Sequence, residues 1–162
     1  GRFTMIYWFT GQPGAGKTVL GNMLKGKMEE HKTFTYEVKR VDGDDLRDLT
    51  VNKDYSIKGR VANVDTAQKI AHYLHNNSDN VVVSLVSPYI DQREEFKELI
   101  GENILEIYVH TTEKRERDHF HTIGYQQPVS NFIDIDTTVD TPEESLLKII
   151  THPEWKKRKL IS

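Results

Sequence analysis

Five residues near the start of the chain have the types and spacing that bind phosphate. Gly11, Gly14, Gly16, Lys17 and Thr18 fill the pattern G-x-x-x-x-G-K-[ST]. Glycines let backbone N–H groups approach phosphate oxygens, and a helix starting behind them directs its positive end at the anion. We expect the Lys17 ammonium to bridge the terminal phosphates of ATP and the Thr18 hydroxyl to bind Mg²⁺. A glycine-rich turn without a ligand is the structural alternative.

A second group of reactive side chains follows at 42–47, where the sequence is DGDDLR. A carboxylate beside the bound phosphates, such as Asp42, could accept the proton of an acceptor hydroxyl or hold magnesium through water. Arg47, one helical turn further on, could bind an anionic group of the acceptor. The alternative is an ordinary turn that caps a helix. The expected position beside the phosphate loop favours the functional interpretation.

The elements that must position these groups are predicted from apolar patterns. Continuous apolar or β-branched runs predict strands over 5–10, 34–41, 81–86, 104–109 and 132–136, the second nearer an edge and the third central. Helical spacing predicts helices after the glycine loop and over 60–76, 91–100 (inner face Phe96, Leu99 and Ile100), 112 to about 120, and 142–150. The alternation predicts a three-layer α/β fold with a five-stranded parallel sheet. Ligands bind such sheets beyond the carboxyl ends of the strands, where both groups fall.

Composition narrows the class of protein. The 162 residues suit one domain, and 22 basic against 25 acidic side chains create no global field for nucleic acid or membranes. The chain has no cysteine and no apolar run near the roughly 20 residues of a membrane span, so we expect a cytoplasmic protein. Residues 1–4 suit either a cloning remnant or a short native lead-in. Residues 152–162 are predicted to be a solvated or frayed basic tail, with nucleic-acid contact as the alternative.

Taken in order, the motifs resemble the adenylylsulfate kinase family over nearly the whole chain, from Met5 to about Ile150. GQPGAGKT and DGDDLR match its P-loop and its D-G-D-x-x-R. The spacing of Tyr55-Ser56, Arg60 and Asn63 matches F-S-x-x-D-R-x-x-N, and SPY followed by Arg93 matches a family strand end. DIDT at 134–137 matches the terminal strand. The resemblance implies a P-loop kinase fold, ATP and Mg²⁺ as cofactors, and phosphorylation of the ribose 3′-hydroxyl of adenylyl sulfate. It also implies a homodimer.

Carried over position by position, the resemblance implies these roles. The catalytic residues would be Lys17 and Asp42, with magnesium at Thr18 and, through water, at Asp42. ATP would be bound by Gly11, Gly14, Ala15, Gly16, Lys17, Thr18 and Val19. The acceptor would be bound by Asp44, Arg47, Tyr55, Arg60, Asn63, Val86 and Ser87, with Tyr55 stacked on its base. A lid over ATP would use Arg115, Arg117 or His121.

The chain departs from the family pattern around the acceptor. Gly59, Ala62, Asp65 and Ile90 stand where the family has acidic or basic residues, and the lid is short and less basic. These changes suggest a smaller or less anionic acceptor, or one held differently. The alternative acceptors are a cytidine diphosphate derivative and a modified nucleoside.

Other classes also remain open. They are a non-catalytic nucleotide-binding module and, less favoured by the balanced charge, a polynucleotide kinase. The histidines at 72, 75, 119 and 121 lack an evident third partner for zinc, and a polar helix face and lid explain them better.

Overall fold

The computed structural model describes residues 4–31, 37–114 and 121–158. These residues form five strands, β1 (Ile6–Thr10), β2 (Val38–Asp42), β3 (Asn80–Ser84), β4 (Ile104–His110) and β5 (Phe132–Asp136). The helices are α1 (Lys17–Glu30), α2 (Gly43–Thr50), α3 (Ile57–Asn76), α4 (Ile90–Ile100), α5 (Pro142–Ile150) and α6 (Pro153–Lys156), with a 3₁₀ turn at Gly101–Asn103. Strand and helix alternate along most of the chain, as the apolar pattern predicts.

The strands form one parallel sheet in the order β2-β3-β1-β4-β5. The predicted fold class is therefore confirmed, and β2 lies at an edge as expected. In the register, Ser84 at the end of β3 pairs with Phe9 of β1 on one side and with Asp42 of β2 on the other. The carboxyl end of β2 thus lies two strands from the glycine loop, at the same edge of the sheet.

Both faces of the sheet are covered, which explains the continuous apolar runs. All five residues of β1 are buried. Tyr7 and Phe9 belong to one core cluster, which includes Leu24 of α1 and Ile149 of α5. Ile6 and Trp8 face the other cluster, with α3 and α4. At about 25 cal/mol per Å² of buried apolar surface, these two layers supply the main driving force for folding.

Several predicted boundaries differ from the structure. Strand β3 ends at Ser84, two residues early, and the chain beyond it is not extended throughout, since Ser87 adopts a left-handed φ of 43°. The predicted helix from 112 is wrong for its first turn, where Thr112 N donates to Thr138 Oγ1 at 3.0 Å instead. The rest of that predicted helix, residues 115–120, lies outside the described residues. Residues 34–36 of the second predicted strand lie outside them as well. Leu99, expected on the inner face of its helix, is 65% exposed.

The described part of the C-terminal segment is not a frayed tail. Trp155 in α6 is completely buried, and its ring stacks on Tyr7 at 5.4 Å between centroids. Arg158 follows and donates from Nη1 to the carbonyl of Glu154 at 2.6 Å. The prediction of a solvated tail is wrong for Trp155, because this aromatic residue packs into the core, whereas Lys156 and Lys157 are exposed.

Candidate active site

The glycine loop takes backbone conformations that other residues rarely adopt. Gly11 has a φ of 150°, and a Cβ there would lie 2.1 Å from the carbonyl oxygen of Val109. Gly16 has a φ of 112° and forms the N-cap of α1. The loop is also held from β5, because Thr137 Oγ1 donates to the Ala15 carbonyl at 2.7 Å. The loop therefore has a defined shape at the positive end of a helix, which suits an anion.

Lys17 and Thr18 begin α1 and differ in exposure. Lys17 is 8% exposed, and its Nζ donates to the Gln12 carbonyl within the same loop at 2.8 Å. Thr18 and Val19 are exposed. The Thr18 hydroxyl donates to Asp42 Oδ2 at 2.9 Å, across from the end of β2. The structure thus brings the predicted magnesium ligand and the predicted catalytic carboxylate into direct contact.

Asp42 has a second, structural role as the N-cap of α2. Its Oδ1 accepts from the backbone N–H of Asp44 at 3.0 Å, which satisfies one of the free donors at the helix start. Asp44 itself is exposed. Both carboxylate oxygens of Asp42 therefore have donors, one from the helix that it caps and one from the phosphate loop. Asp42 can therefore cap the helix and still present a carboxylate oxygen to the phosphate loop, so the structural and the functional interpretation of this motif do not exclude each other.

Arg47 organises the loop that carries Tyr55. Its Nη1 donates to the carbonyls of Asn52 and Asp54, at 3.2 and 3.1 Å, and to Asn52 Oδ1 at 3.3 Å. Its guanidinium carbon lies 4.1 Å from the centre of the Tyr55 ring, a cation–π contact. Tyr55 as a whole is 60% exposed. The structure thus presents Tyr55 as an open aromatic platform backed by Arg47.

The same loop packs closely against the start of α3. A Cβ on Gly59 would lie 2.2 Å from the Asp54 carbonyl oxygen, so this approach requires glycine. The side chain of Asp54 accepts from the backbone N–H of Ser56 at 2.9 Å, and hydrogen bonds from Ser56 hold the pKa of Asp54 below its usual value. Arg60 follows, half-buried, and Asn63 lies one turn further along the helix. Asn63 is buried, and its Oδ1 has no hydrogen-bond partner among the described residues.

The loop at 85–89 is fixed from several sides. Thr10 Oγ1 donates to the Val86 carbonyl at 2.7 Å, and Trp8 Nε1 donates to Ser87 Oγ at 2.9 Å. The Ser87 carbonyl accepts from Arg93 Nη1 at 2.6 Å. Ser87 is buried and Val86 half-buried. The hydroxyl and the carbonyl of Ser87 are therefore already hydrogen-bonded inside the protein, and its contact with an acceptor base remains a prediction.

Arg93 belongs to a buried ionic cluster that sequence reasoning missed. Its Nε lies 3.0 Å from Glu106 Oε2, with both side chains 1% exposed, and Lys97 Nζ lies 2.8 Å from the other oxygen of Glu106. Charges this deeply buried require such pairing. The one sequence signal for this cluster was Glu106, which lies inside the apolar run at 104–109. A glutamate at such a position predicts a buried, positively charged partner.

A segment that we call the strap, residues 121–127, crosses the same edge of the sheet. The Tyr125 hydroxyl lies 2.8 Å from Thr10 Oγ1, and burial raises the pKa of Tyr125, so the phenol remains protonated. Gln126 N donates to the Pro88 carbonyl at 2.8 Å, and its Oε1 accepts from Ile90 N at 2.9 Å. The strap thus lies against both the end of β1 and the loop at 85–89.

The remaining predicted residues are those of the lid and the histidines considered for zinc. Arg115, Arg117 and His119 lie outside the described residues, whereas His121 is exposed at the start of the strap. His75 Nδ1 lies 2.9 Å from Thr4 Oγ1, and His72 meets the edge of Phe96. No group of three or more metal-binding side chains occurs in the ranges that the structure describes. The zinc alternative therefore gains no support there.

Fold and site together define a class of protein. A parallel sheet whose first strand leads through a glycine loop into a helix, with an acidic residue at the end of the edge strand β2 in contact with that helix, is the architecture of the P-loop kinases. The family model of adenylylsulphate kinase matches residues 3–150. The chain belongs to the adenylylsulphate kinase family and is, with that family, a phosphotransferase.

Relatives agree with this assignment, and a solved structure agrees with the fold. The adenylyl-sulfate kinase of Pseudomonas aeruginosa is 31% identical over 166 residues, which cover 97% of this chain and 83% of the relative. The cytidine diphosphoramidate kinase of Campylobacter jejuni is 27% identical and aligns with 88% of this chain and 84% of its own. The fold is similar to that of the Mycobacterium tuberculosis APS kinase solved with AMPPNP and APS (TM-score 0.75, 20% identity, 91% and 95% of the two chains).

Within the described ranges, no helix combines the length and the apolar character needed to span a membrane.

Proposed function

We propose that the protein transfers the γ-phosphate of ATP to the ribose 3′-hydroxyl of adenylyl sulfate. The observation that carries this proposal is the 2.9 Å hydrogen bond from Thr18 Oγ1 to Asp42 Oδ2. It joins the residue that follows Lys17 to the carboxylate at the end of β2. An acceptor hydroxyl approaching from the Asp42 side would meet the terminal phosphate beside Lys17.

Each residue has a distinct task in this proposal. The Lys17 ammonium leaves the Gln12 carbonyl, 2.8 Å away, and pairs with phosphate oxygens, where it neutralises the charge that develops during transfer. Asp42 orients the acceptor hydroxyl and accepts its proton. Tyr55 stacks on the acceptor base, which its exposure and its position beside Arg47 allow. Arg60 and Asn63 hold the sugar or the phosphate–sulfate group, and the unpartnered Oδ1 of Asn63 suits a hydroxyl donor.

The residues present fit ATP and Mg²⁺. The glycines at 11, 14 and 16 add no side chains to the loop, and Ala15 adds a small one. Thr18 and Asp42 supply a hydroxyl and a carboxylate in contact, the oxygen donors that Mg²⁺ prefers. Magnesium bound there would screen the charge of the terminal phosphates. Arg115, Arg117 and His121 remain predicted lid contacts.

A second acceptor class is favoured by one specific feature. Where the family pattern has an acidic residue before Arg60, this chain has Gly59, and Asp54 from the preceding loop approaches that position instead. The acceptor loop is thus built differently. A relative of comparable similarity is a cytidine diphosphoramidate kinase. A cytidine diphosphate derivative is therefore the second candidate acceptor.

Turnover on a panel of acceptors tests the proposal. ADP release is measured with ATP, Mg²⁺ and, in turn, adenylyl sulfate, cytidine diphosphoramidate and unmodified nucleosides, with Lys17→Ala as the inactive control. We expect the highest kcat/KM with adenylyl sulfate. Turnover of the cytidine compound alone would replace the first acceptor by the second, and ATP binding without transfer to any acceptor would favour a non-catalytic module. Sedimentation of the same sample tests the homodimer that the resemblance implies.

A further inference from the structure

One glutamine of the phosphate loop is hydrogen-bonded to the strap through both ends of its amide. Gln12 Nε2 donates to the Thr122 carbonyl at 2.9 Å, and Gln12 Oε1 accepts from the Thr122 N–H at 2.8 Å. A single side chain thus satisfies both backbone groups of one residue, as a neighbouring strand would. Thr122 is 5% exposed, so water competes poorly for these groups.

The backbone of the same residue contacts the catalytic lysine. The Gln12 carbonyl accepts from Lys17 Nζ at 2.8 Å and from the Ala15 N–H at 3.3 Å. When Lys17 turns to a phosphate, this carbonyl loses its charged donor, so the position of the peptide that carries the glutamine side chain depends on whether nucleotide is bound. Any change in that position reaches Thr122 directly through the two amide hydrogen bonds.

We propose that Gln12 is a positioning residue that fixes the beginning of the strap on the phosphate loop, so that nucleotide binding and strap placement are coupled. The coupling rests on the proposed binding of ATP, whereas the attachment itself does not. The other end of the strap is anchored separately, by Tyr125 on Thr10 and by Gln126 on Pro88. Loss of the Gln12 amide therefore releases the strap near Thr122 and leaves its attachment at Tyr125 intact.

Coupling of this kind is reciprocal. If ATP binds more tightly to the form in which the strap is attached, ATP must stabilise that attachment by the same factor. The backbone amide of Thr122 reports the attachment, because its exchange with solvent requires the bond to Gln12 Oε1 to open. The effect of ATP on exchange at Thr122 and the effect of strap attachment on the affinity for ATP are then two measurements of the same coupling free energy.

Hydrogen–deuterium exchange on the full chain tests the proposal, with Gln12→Met and Gln127→Met as a matched pair. Methionine has the length of glutamine but lacks both amide hydrogen bonds, and Gln127 is an exposed glutamine of the same strap. Without nucleotide, we expect the Thr122 amide of Q12M to exchange about tenfold faster or more, from the loss of two hydrogen bonds. Q127M should match the wild type. AMPPNP should slow this exchange in the wild type and Q127M, but not in Q12M.

Kinetics supply the second measurement. For Q12M we expect the KM for ATP to rise roughly tenfold while the KM for the acceptor stays within about twofold. The reason is that the two hydrogen bonds join the strap to the loop proposed to bind ATP. Unchanged Thr122 exchange in Q12M would overturn the attachment, and faster exchange with an unchanged KM for ATP would overturn the coupling. Failure of the wild type to bind ATP would instead refute the proposed function, while exchange without nucleotide would still test the attachment.

A second variant covers the case in which Q12M does not fold. Gln12→Glu keeps an oxygen for the Thr122 N–H but cannot donate to the Thr122 carbonyl. Without nucleotide, its Thr122 amide should therefore exchange faster than in the wild type, because the Thr122 carbonyl has lost its donor. Wild-type exchange in Q12E would contradict the two-point attachment.

Discussion

Replacing Asp42 separates its structural role from its proposed catalytic role. Its Oδ1 caps α2 through the Asp44 N–H at 3.0 Å, and its Oδ2 accepts from Thr18 at 2.9 Å. Asparagine keeps an oxygen for the cap but removes the negative charge, so it cannot accept a proton. Alanine removes both functions. The two variants therefore differ in the cap, which contributes to stability, and share the loss of the carboxylate.

The expected magnitudes follow from these contacts. For Asp42→Asn we expect kcat to fall by about 10²- to 10⁴-fold, the usual contribution of a positioned acid or base. Its free energy of unfolding should change little. For Asp42→Ala we expect a comparable loss of activity and, in addition, about 1 kcal/mol of destabilisation from the missing cap. That loss corresponds to a Tm lower by about 2–4 °C for a chain of this size.

The assay combines ADP release with thermal unfolding of the same preparations. Asp45→Asn is the matched control, because it removes one negative charge from the same helix start. In the wild type, Asp45 pairs with Arg40 at 3.0 Å on the surface. The kcat of D45N should stay within about twofold of the wild type, as expected for an exposed ion pair. If D42N kept more than about a third of the wild-type kcat, or if D45N lost as much as D42N, the proposed role of Asp42 would be refuted.

Three further predictions concern the fold and the acceptor loop. Trp155→Ala should destabilise the protein by about 3–5 kcal/mol in urea unfolding, because a fully buried indole leaves a cavity. Gly59→Ala should raise the KM for the acceptor about tenfold or more without changing the KM for ATP, since the new methyl would meet the Asp54 carbonyl at 2.2 Å. Stability should fall as the pH drops below about 6.5, because burial above all lowers the pKa of His75 and the unfolded chain takes up the proton first.

Each of these predictions has a contradicting result. A loss below about 1 kcal/mol in W155A would show that the indole is not part of the core. A KM for the acceptor that G59A leaves unchanged would remove the loop at 52–56 from the acceptor site. For His75, the matched variant is His75→Gln, which cannot titrate; an equal pH dependence of its unfolding free energy would assign the effect to other groups.

Local sequence patterns determined much of the fold. The glycine loop is readable because positions such as Gly11 and Gly16 need backbone conformations that glycine alone adopts easily. The strands are readable because a parallel sheet covered on both faces requires continuous apolar runs, and β5 and α5 have the predicted bounds. The order of motifs was also sufficient to predict the family.

Contacts between distant residues were decided only by the tertiary structure. Trp155 looked like part of a solvated basic tail until the fold placed it against Tyr7. The attachment of Gln12 to Thr122 joins residues 110 positions apart, and no local pattern encodes it. The sequence by itself determined which residues can bind phosphate and where strands and helices form, because those properties depend on local backbone geometry and on the periodicity of burial. The tertiary structure decided which polar groups meet at the carboxyl edge of the sheet, because that depends on strand order and register.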